Sequence, residues 1–206
     1  MEFKNKGDVN LFFKRLSELV TEKIDVYLLG GCALIILGAS RTTQDIDFEI
    51  KGASDETIER IQQFCNDKNI PVNFSEDAGM WGMISINNNR DTALPYSDFG
   101  KINVRILDPL DMSIGKIERF TDIDVQDVTY LIKKFSINAE ELLTAWARAL
   151  NKSLKSEKNF LFRKQVESFI KTYSKKLWGV EESELLFLWG SLLQKEITVK
   201  HRFPHQ

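Results

Sequence analysis

A glycine pair wedged between an apolar run and two alternating acids constrains this chain more than any other feature. Residues 27–50 read YLLGGCALIILGASRTTQDIDFEI. Val26 to Leu29 has the pattern of a short buried strand, Gly30-Gly31 turns out of it into the apolar segment Cys32-Ala33-Leu34, and Asp45-Ile46-Asp47 follows a loop that holds Arg41, Thr42 and Thr43. Residues two apart on a strand project to one face, so Asp45 and Asp47 form a carboxylate pair. Two adjacent acids repel one another unless a cation sits between them, and hard divalent ions such as Mg²⁺ take oxygen ligands of this kind. Backbone N–H groups at a glycine-opened helix start suit phosphate oxygens. Phosphates beside a carboxylate-held metal imply nucleotide chemistry.

The rest of the chain supplies a scaffold for that unit. Leu11, Phe12, Leu16 and Leu19/Val20 recur at helical spacing over residues 8–22. Strands are expected at 25–29 and 45–50, with the glycine-opened helix at 31–37 between them. Ile58, Ile61, Phe64 and Cys65 line one face of a helix over 55–69, which Pro71 ends, and a short strand is expected at 72–75. Further strands are expected at 80–86 and 101–107. The polar stretch between them, 87–100, is long for a hairpin and reads either as a flap over the site or as a disordered loop. Asp108-Pro109 then starts a helix running to Phe120, with Asp at the cap and Pro at the first helical position. Thr121 or Asp122 caps the next, through Lys134. Asn138 with Glu141 forms a capping pair for a helix ending near Leu150, and the remainder is helical in pattern. The expectation is an α+β fold: a small mixed β-sheet flanked by helices over 1–107, with a helical C-terminal region, 108–206, packed on it.

Composition excludes several classes of function. No stretch approaches the ~20 apolar residues of a membrane span, and the N-terminus lacks signal-peptide organisation, so a cytoplasmic protein with no membrane partner is expected. The only histidines, His201 and His205, lie at the extreme C-terminus, which argues against histidine catalysis and zinc sites. Cys32 and Cys65 have no metal-ligand spacing and are expected to be reduced. The net charge of −2 hides an asymmetry: residues 150–206 hold eleven Lys/Arg against six Asp/Glu, a net of +5, which leaves −7 for the remainder. A basic helical tail suits a polyanionic acceptor, although solvated lysines on exposed helix faces are the commoner reason for such a count.

The stretch GGCAL…RTTQDIDF resembles the nucleotidyltransferases of the DNA polymerase β-like superfamily, in the variant found in AbiEii-like abortive-infection toxins and their uncharacterised bacterial relatives. A second segment strengthens the likeness: Leu107-Asp108-Pro109-Leu110-Asp111 precedes Lys116, and Asp124 and Asp127 follow in TDIDVQDVTYL. The resemblance spans residues 24–135. It implies transfer of a nucleoside monophosphate from an NTP to an acceptor, either RNA such as the tRNA 3′ end or a protein hydroxyl. It further implies Mg²⁺ held by Asp45 and Asp47, with Gly30, Gly31, Cys32 and Arg41 against the nucleotide. Lys116 would supply positive charge to the triphosphate, and Asp124 would orient Lys116 or polarise the acceptor, supported by Asp127. An antitoxin partner belongs to the same expectation. Trp146, Trp178 and Trp189 in the helical tail read as core residues, whereas an exposed aromatic face there would imply a homodimer through the C-terminal helices.

Two departures open alternatives. Cys32 stands where many members carry a hydroxyl, and a thiol is the weaker donor. The strand over 101–107 carries Arg105 and no acid, where many members place a third carboxylate. A small-molecule nucleotidyltransferase of the antibiotic-modifying kind, or a degenerate member that binds nucleotide or a partner without turnover, would also fit.

Overall fold

The structure is a computed structural model and describes residues 2–75, 84, 86 and 89–194. The chain divides into two compact units, one formed by residues 1–78 and 89–108 and the other by 79–88 and 109–206. Together they make a mixed α+β protein, as the sequence pattern implies.

The first unit is built on a five-stranded sheet. In chain order its strands are β1 (Ile24–Leu29), β2 (Ile46–Lys51), β3 (Val72–Ser75), β4 (Leu94–Asp98) and β5 (Ile102–Ile106), arranged in space as β3-β2-β1-β5-β4. β1 runs antiparallel to β2 and parallel to β5, β2 is parallel to β3, and β4 is antiparallel to β5. The period-two side-chain alternation splits the sheet into unlike faces. Val26, Leu28, Phe48, Ile50, Val104 and Ile106 are buried on one of them. Helix α1 (Lys6–Leu19) covers that face with Phe12 and Phe13, whose rings lie 6.3 and 6.2 Å from the Phe48 ring, and α3 (Asp55–Asp67) adds Phe64 at 5.9 Å from Phe12. The opposite face is polar: the register sets Asp47 opposite Leu29, and Tyr27 between Glu49 and Arg105.

Local signals explain the helix starts. Asn5 and Asp8 form a reciprocal capping box ahead of α1, and the Ser54 hydroxyl accepts from Thr57 N–H to start α3. The short helix α2 (Gly30–Ile36) follows β1 without an intervening loop.

The connection expected over 87–100 is not a flap in its described part. Residues 89–92 form a helical turn, α4, and 94–98 form β4, which returns to β5 through a three-residue turn containing Gly100 at φ +83°. Pro95 and Ser97, where the β4 register slips, mask the strand alternation in the sequence. The strand expected at 80–86 lies largely outside the described residues.

The second unit is helical: α5 (Pro109–Arg119), α6 (Asp122–Phe135), α7 (Ala139–Lys152), α8 (Glu157–Trp178) and α9 (Glu182–Leu193). Trp146, Phe162, Phe169 and Trp189 fill its core, with Trp146 edge-on to Phe169 at 5.5 Å. The Trp146 indole N–H donates to Ser113 Oγ at 2.8 Å, which ties α7 to α5. Thr121 caps α6, and Asn138 with Glu141 forms the expected capping box of α7. No helix among the described residues is long and apolar enough to cross a membrane.

Candidate active site

The glycine pair and the acid doublet meet in space through a steric fit. Gly30 has φ +67°, the left-handed region that L side chains avoid, and this lets the chain turn from β1 directly into α2. A methyl group at Gly30 would lie 3.1 Å from the Asp47 carboxyl carbon and closer still to its Oδ2. The missing side chain is therefore what seats the Asp47 carboxylate. Gly31 does the same for the loop ahead of β2, since a Cβ there would sit 2.9 Å from Thr43 Cβ.

Asp45 lies one residue before β2 and Asp47 within it, and both are half-buried. Thr43 Oγ1 donates to Asp45 Oδ1, and the Cys32 thiol donates to the Asp45 carbonyl at 3.4 Å. The Cys32 thiol is pushed far up by burial first and then by the negative charges of Asp45 and Asp47, against which Arg41 acts weakly. Cys32, Arg41 and both carboxylates thus share one neighbourhood. The Cys32 side chain is fully buried and braces the Asp45 backbone.

Glu49 is the residue that sequence reasoning passed over. The alternation Asp47-Phe48-Glu49 places it on the Asp47 face, and it is completely buried. Arg90 of α4 makes an ion pair with it, and Asn89 Nδ2 donates to Glu49 Oε2 at 3.2 Å. Its charge is therefore taken up by α4. Among the described residues no three His, Cys, Asp or Glu side chains converge as a metal site.

β5 carries no acid, as its sequence reads. β5 is separated from β2 by β1, and the other strand beside β2 is β3, whose backbone sets Asn73 opposite Asp47. Arg105 belongs to the row of Tyr27 and Glu49, where its Nη2 donates to the Ala93 carbonyl at 2.7 Å.

The second motif forms a compact network inside the helical unit. Lys116 of α5 is only 5 % exposed, and its ammonium lies 2.6 Å from Asp127 Oδ2 and 3.2 Å from Asp124 Oδ1, both on α6. Arg119 donates to Asp124 at 2.6 Å, and Thr121 Oγ1 donates to it at 2.8 Å. Burial raises the Asp124 carboxyl, but the hydrogen bonds from Arg119 and Thr121 and the charges of Arg119 and Lys116 outweigh it, leaving it at about 2. Asp124 and Lys116 are thus brought together, with Asp127 the closer partner of the lysine.

The donor set fits a hard divalent cation in part: two half-buried carboxylates, one held against a glycine made bare for it. A small mixed sheet whose first strand turns through a glycine pair, beside a strand that carries paired acids, is consistent with the nucleotidyltransferase fold. The chain matches the family described as nucleotidyltransferase of unknown function (DUF6036) over residues 10–174, and it belongs to that family. Comparisons with curated proteins and with solved structures gave no match.

Proposed function

We propose that the protein transfers a nucleoside monophosphate from an NTP to an acceptor hydroxyl and releases pyrophosphate, with Asp45 and Asp47 holding Mg²⁺. The observation that carries this reading is the seat made for the Asp47 carboxylate by the missing Gly30 side chain, in a chain that belongs to a nucleotidyltransferase family. When bound, Mg²⁺ neutralises charge that develops on the transferred phosphoryl group. Asp45 and Asp47 present oxygens to it, and the bare Gly30-Gly31 backbone allows close approach of the triphosphate. Arg41, whose charge is felt at Cys32, adds a cation beside the pair.

Lys116 and Asp124 take a supporting part in this reading. The lysine shares its charge with two carboxylates, so its first effect is to join α5 to α6. The acceptor we favour is RNA, such as the tRNA 3′ end, on the likeness of GGCAL…DIDF to AbiEii-like toxins and on the exposed lysines of α8. A toxin role in the bacterial cytoplasm with an antitoxin partner follows from the same likeness. A member that binds nucleotide without turnover is the second reading; it is favoured by the inward-turned Cys32 and by the pair of acids lacking a third among the described residues.

The test is incubation of the purified protein with each labelled NTP, Mg²⁺ and total tRNA. Label should move to tRNA with wild type and not with Asp47→Ala. Transfer that persists in Asp47→Ala would overturn the metal assignment. Mg²⁺-dependent stabilisation by NTP without any transfer would favour the second reading.

A further inference from the structure

We propose that Thr43 is a positioning residue for Asp45, fixing which carboxylate oxygen faces a bound cation; this rests on the reading of Asp45 and Asp47 as metal ligands. A carboxylate oxygen accepts, so the Thr43 hydroxyl is the donor in its hydrogen bond to Asp45 Oδ1. Such charge-assisted bonds are strong and hold the carboxylate in one orientation. Among the described residues that bond occupies Oδ1 and no side-chain bond is made to Oδ2, which is the oxygen left to a cation.

Three constraints hold the hydroxyl in place. Thr43 and Phe3 form an isolated antiparallel bridge, with Phe3 N–H donating to the Thr43 carbonyl at 2.8 Å and Thr43 N–H to the Phe3 carbonyl at 3.0 Å. Phe3 is itself anchored, fully buried and edge-on to Phe12 at 5.9 Å. On the other side the Thr43 side chain lies directly over Gly31, where a Cβ would come within 3.1 Å of its Cγ2 methyl. A β-branched side chain has few χ1 options; with its backbone bridged and both Oγ1 and Cγ2 packed over Gly31, at 3.0 and 3.1 Å from where a Cβ would lie, it holds the one that delivers Oγ1 to Asp45. The N-terminal residues, the second glycine and the acid motif therefore act on a single hydroxyl.

The test uses the full chain with Mn²⁺ as a spectroscopic substitute for Mg²⁺, titrated by electron paramagnetic resonance. Thr43→Val keeps the shape over Gly31 and removes only the donor; Thr43→Ser keeps the donor and removes the methyl. Thr43→Val is expected to weaken Mn²⁺ binding roughly tenfold or more, as loss of an outer partner of a ligand does, with Thr43→Ser close to wild type and all three melting alike. Equal binding by wild type and Thr43→Val would overturn the inference while leaving the two-carboxylate site intact. Equal weakening in Thr43→Ser and Thr43→Val would overturn it too, since the hydroxyl would not be the cause. If wild type itself binds no Mn²⁺, the reading of Asp45 and Asp47 falls first and this inference with it.

Discussion

Alanine at Gly30 perturbs the backbone and the acid motif together, and the structure allows the two effects to be separated. Gly30 and Gly100 both sit in the left-handed region, at φ +67° and +83°, and both belong to the first unit. Around Gly100 a Cβ would meet nothing within 4 Å, whereas at Gly30 it would meet the Asp47 side chain, with Cγ at 3.1 Å and Cβ at 3.2 Å. Forcing an L residue into this conformation costs about 1–2 kcal/mol, and Gly100→Ala should show that penalty alone. Gly30→Ala must also displace Asp47, and overpacking of this kind adds about 1–3 kcal/mol. The expected loss is therefore about 2–5 kcal/mol for Gly30→Ala against about 1–2 for Gly100→Ala, read from urea unfolding followed by circular dichroism. The clash should couple to its partner. In an Asp47→Ala background the closest obstructing atoms are gone, and Gly30→Ala should become milder by about 1 kcal/mol or more. If Gly30→Ala is no worse than Gly100→Ala, or its penalty is the same with Asp47 truncated, the glycine is not the seat of the carboxylate.

Three further outcomes follow from the ionisable groups. The Asp124 carboxyl is lowered from 3.8 to about 2, so its contribution of about 2 kcal/mol is present above pH ~4 and is lost as pH falls toward 2; Asp124→Asn should flatten the urea midpoint over that window, and an unchanged acid limb would contradict the network. Lys116→Met leaves Asp127 and Asp124 buried without their shared cation and should cost about 3–5 kcal/mol of stability; a loss below about 1 kcal/mol in a thermal melt would show the cation to be dispensable to α5 and α6. Burial raises both thiols, Cys65 to about 11, so iodoacetamide at pH 8 should label neither in the native protein and both in denaturant; rapid native labelling of Cys32 would contradict its inward orientation.

Much of the architecture was legible because local chemistry and tertiary packing agree. Helices with caps and one apolar face, such as α1, α3, α6 and α7, fall within a few residues of where periodicity places them. β4 was not legible: Pro95 and a register slip at Ser97 hide its alternation, so its residues read as loop. The carboxylate pair was visible as spacing, but the reason for the first glycine was not, because the contact of Gly30 with Asp47 depends on the antiparallel register of β1 and β2. Glu49 was hidden for a similar reason. Its alternation with Asp47 marks the shared face, yet its partner Arg90 lies about forty residues away on the short helix α4. The bond from the Cys32 thiol to the Asp45 carbonyl was hidden too, because it joins residues thirteen apart across the turn from α2 to β2.

The central claim is that Asp45 and Asp47 form a metal-dependent site for NTP. Its most direct measurement is pyrophosphate release from each NTP by the full chain with acceptor RNA, titrated with Mg²⁺, for wild type and for Asp45→Asn and Asp47→Asn. Release that requires Mg²⁺ in wild type and disappears in both variants, while their melting temperatures stay near wild type, is the predicted result. Release independent of Mg²⁺, or undiminished in either folded variant, would contradict it.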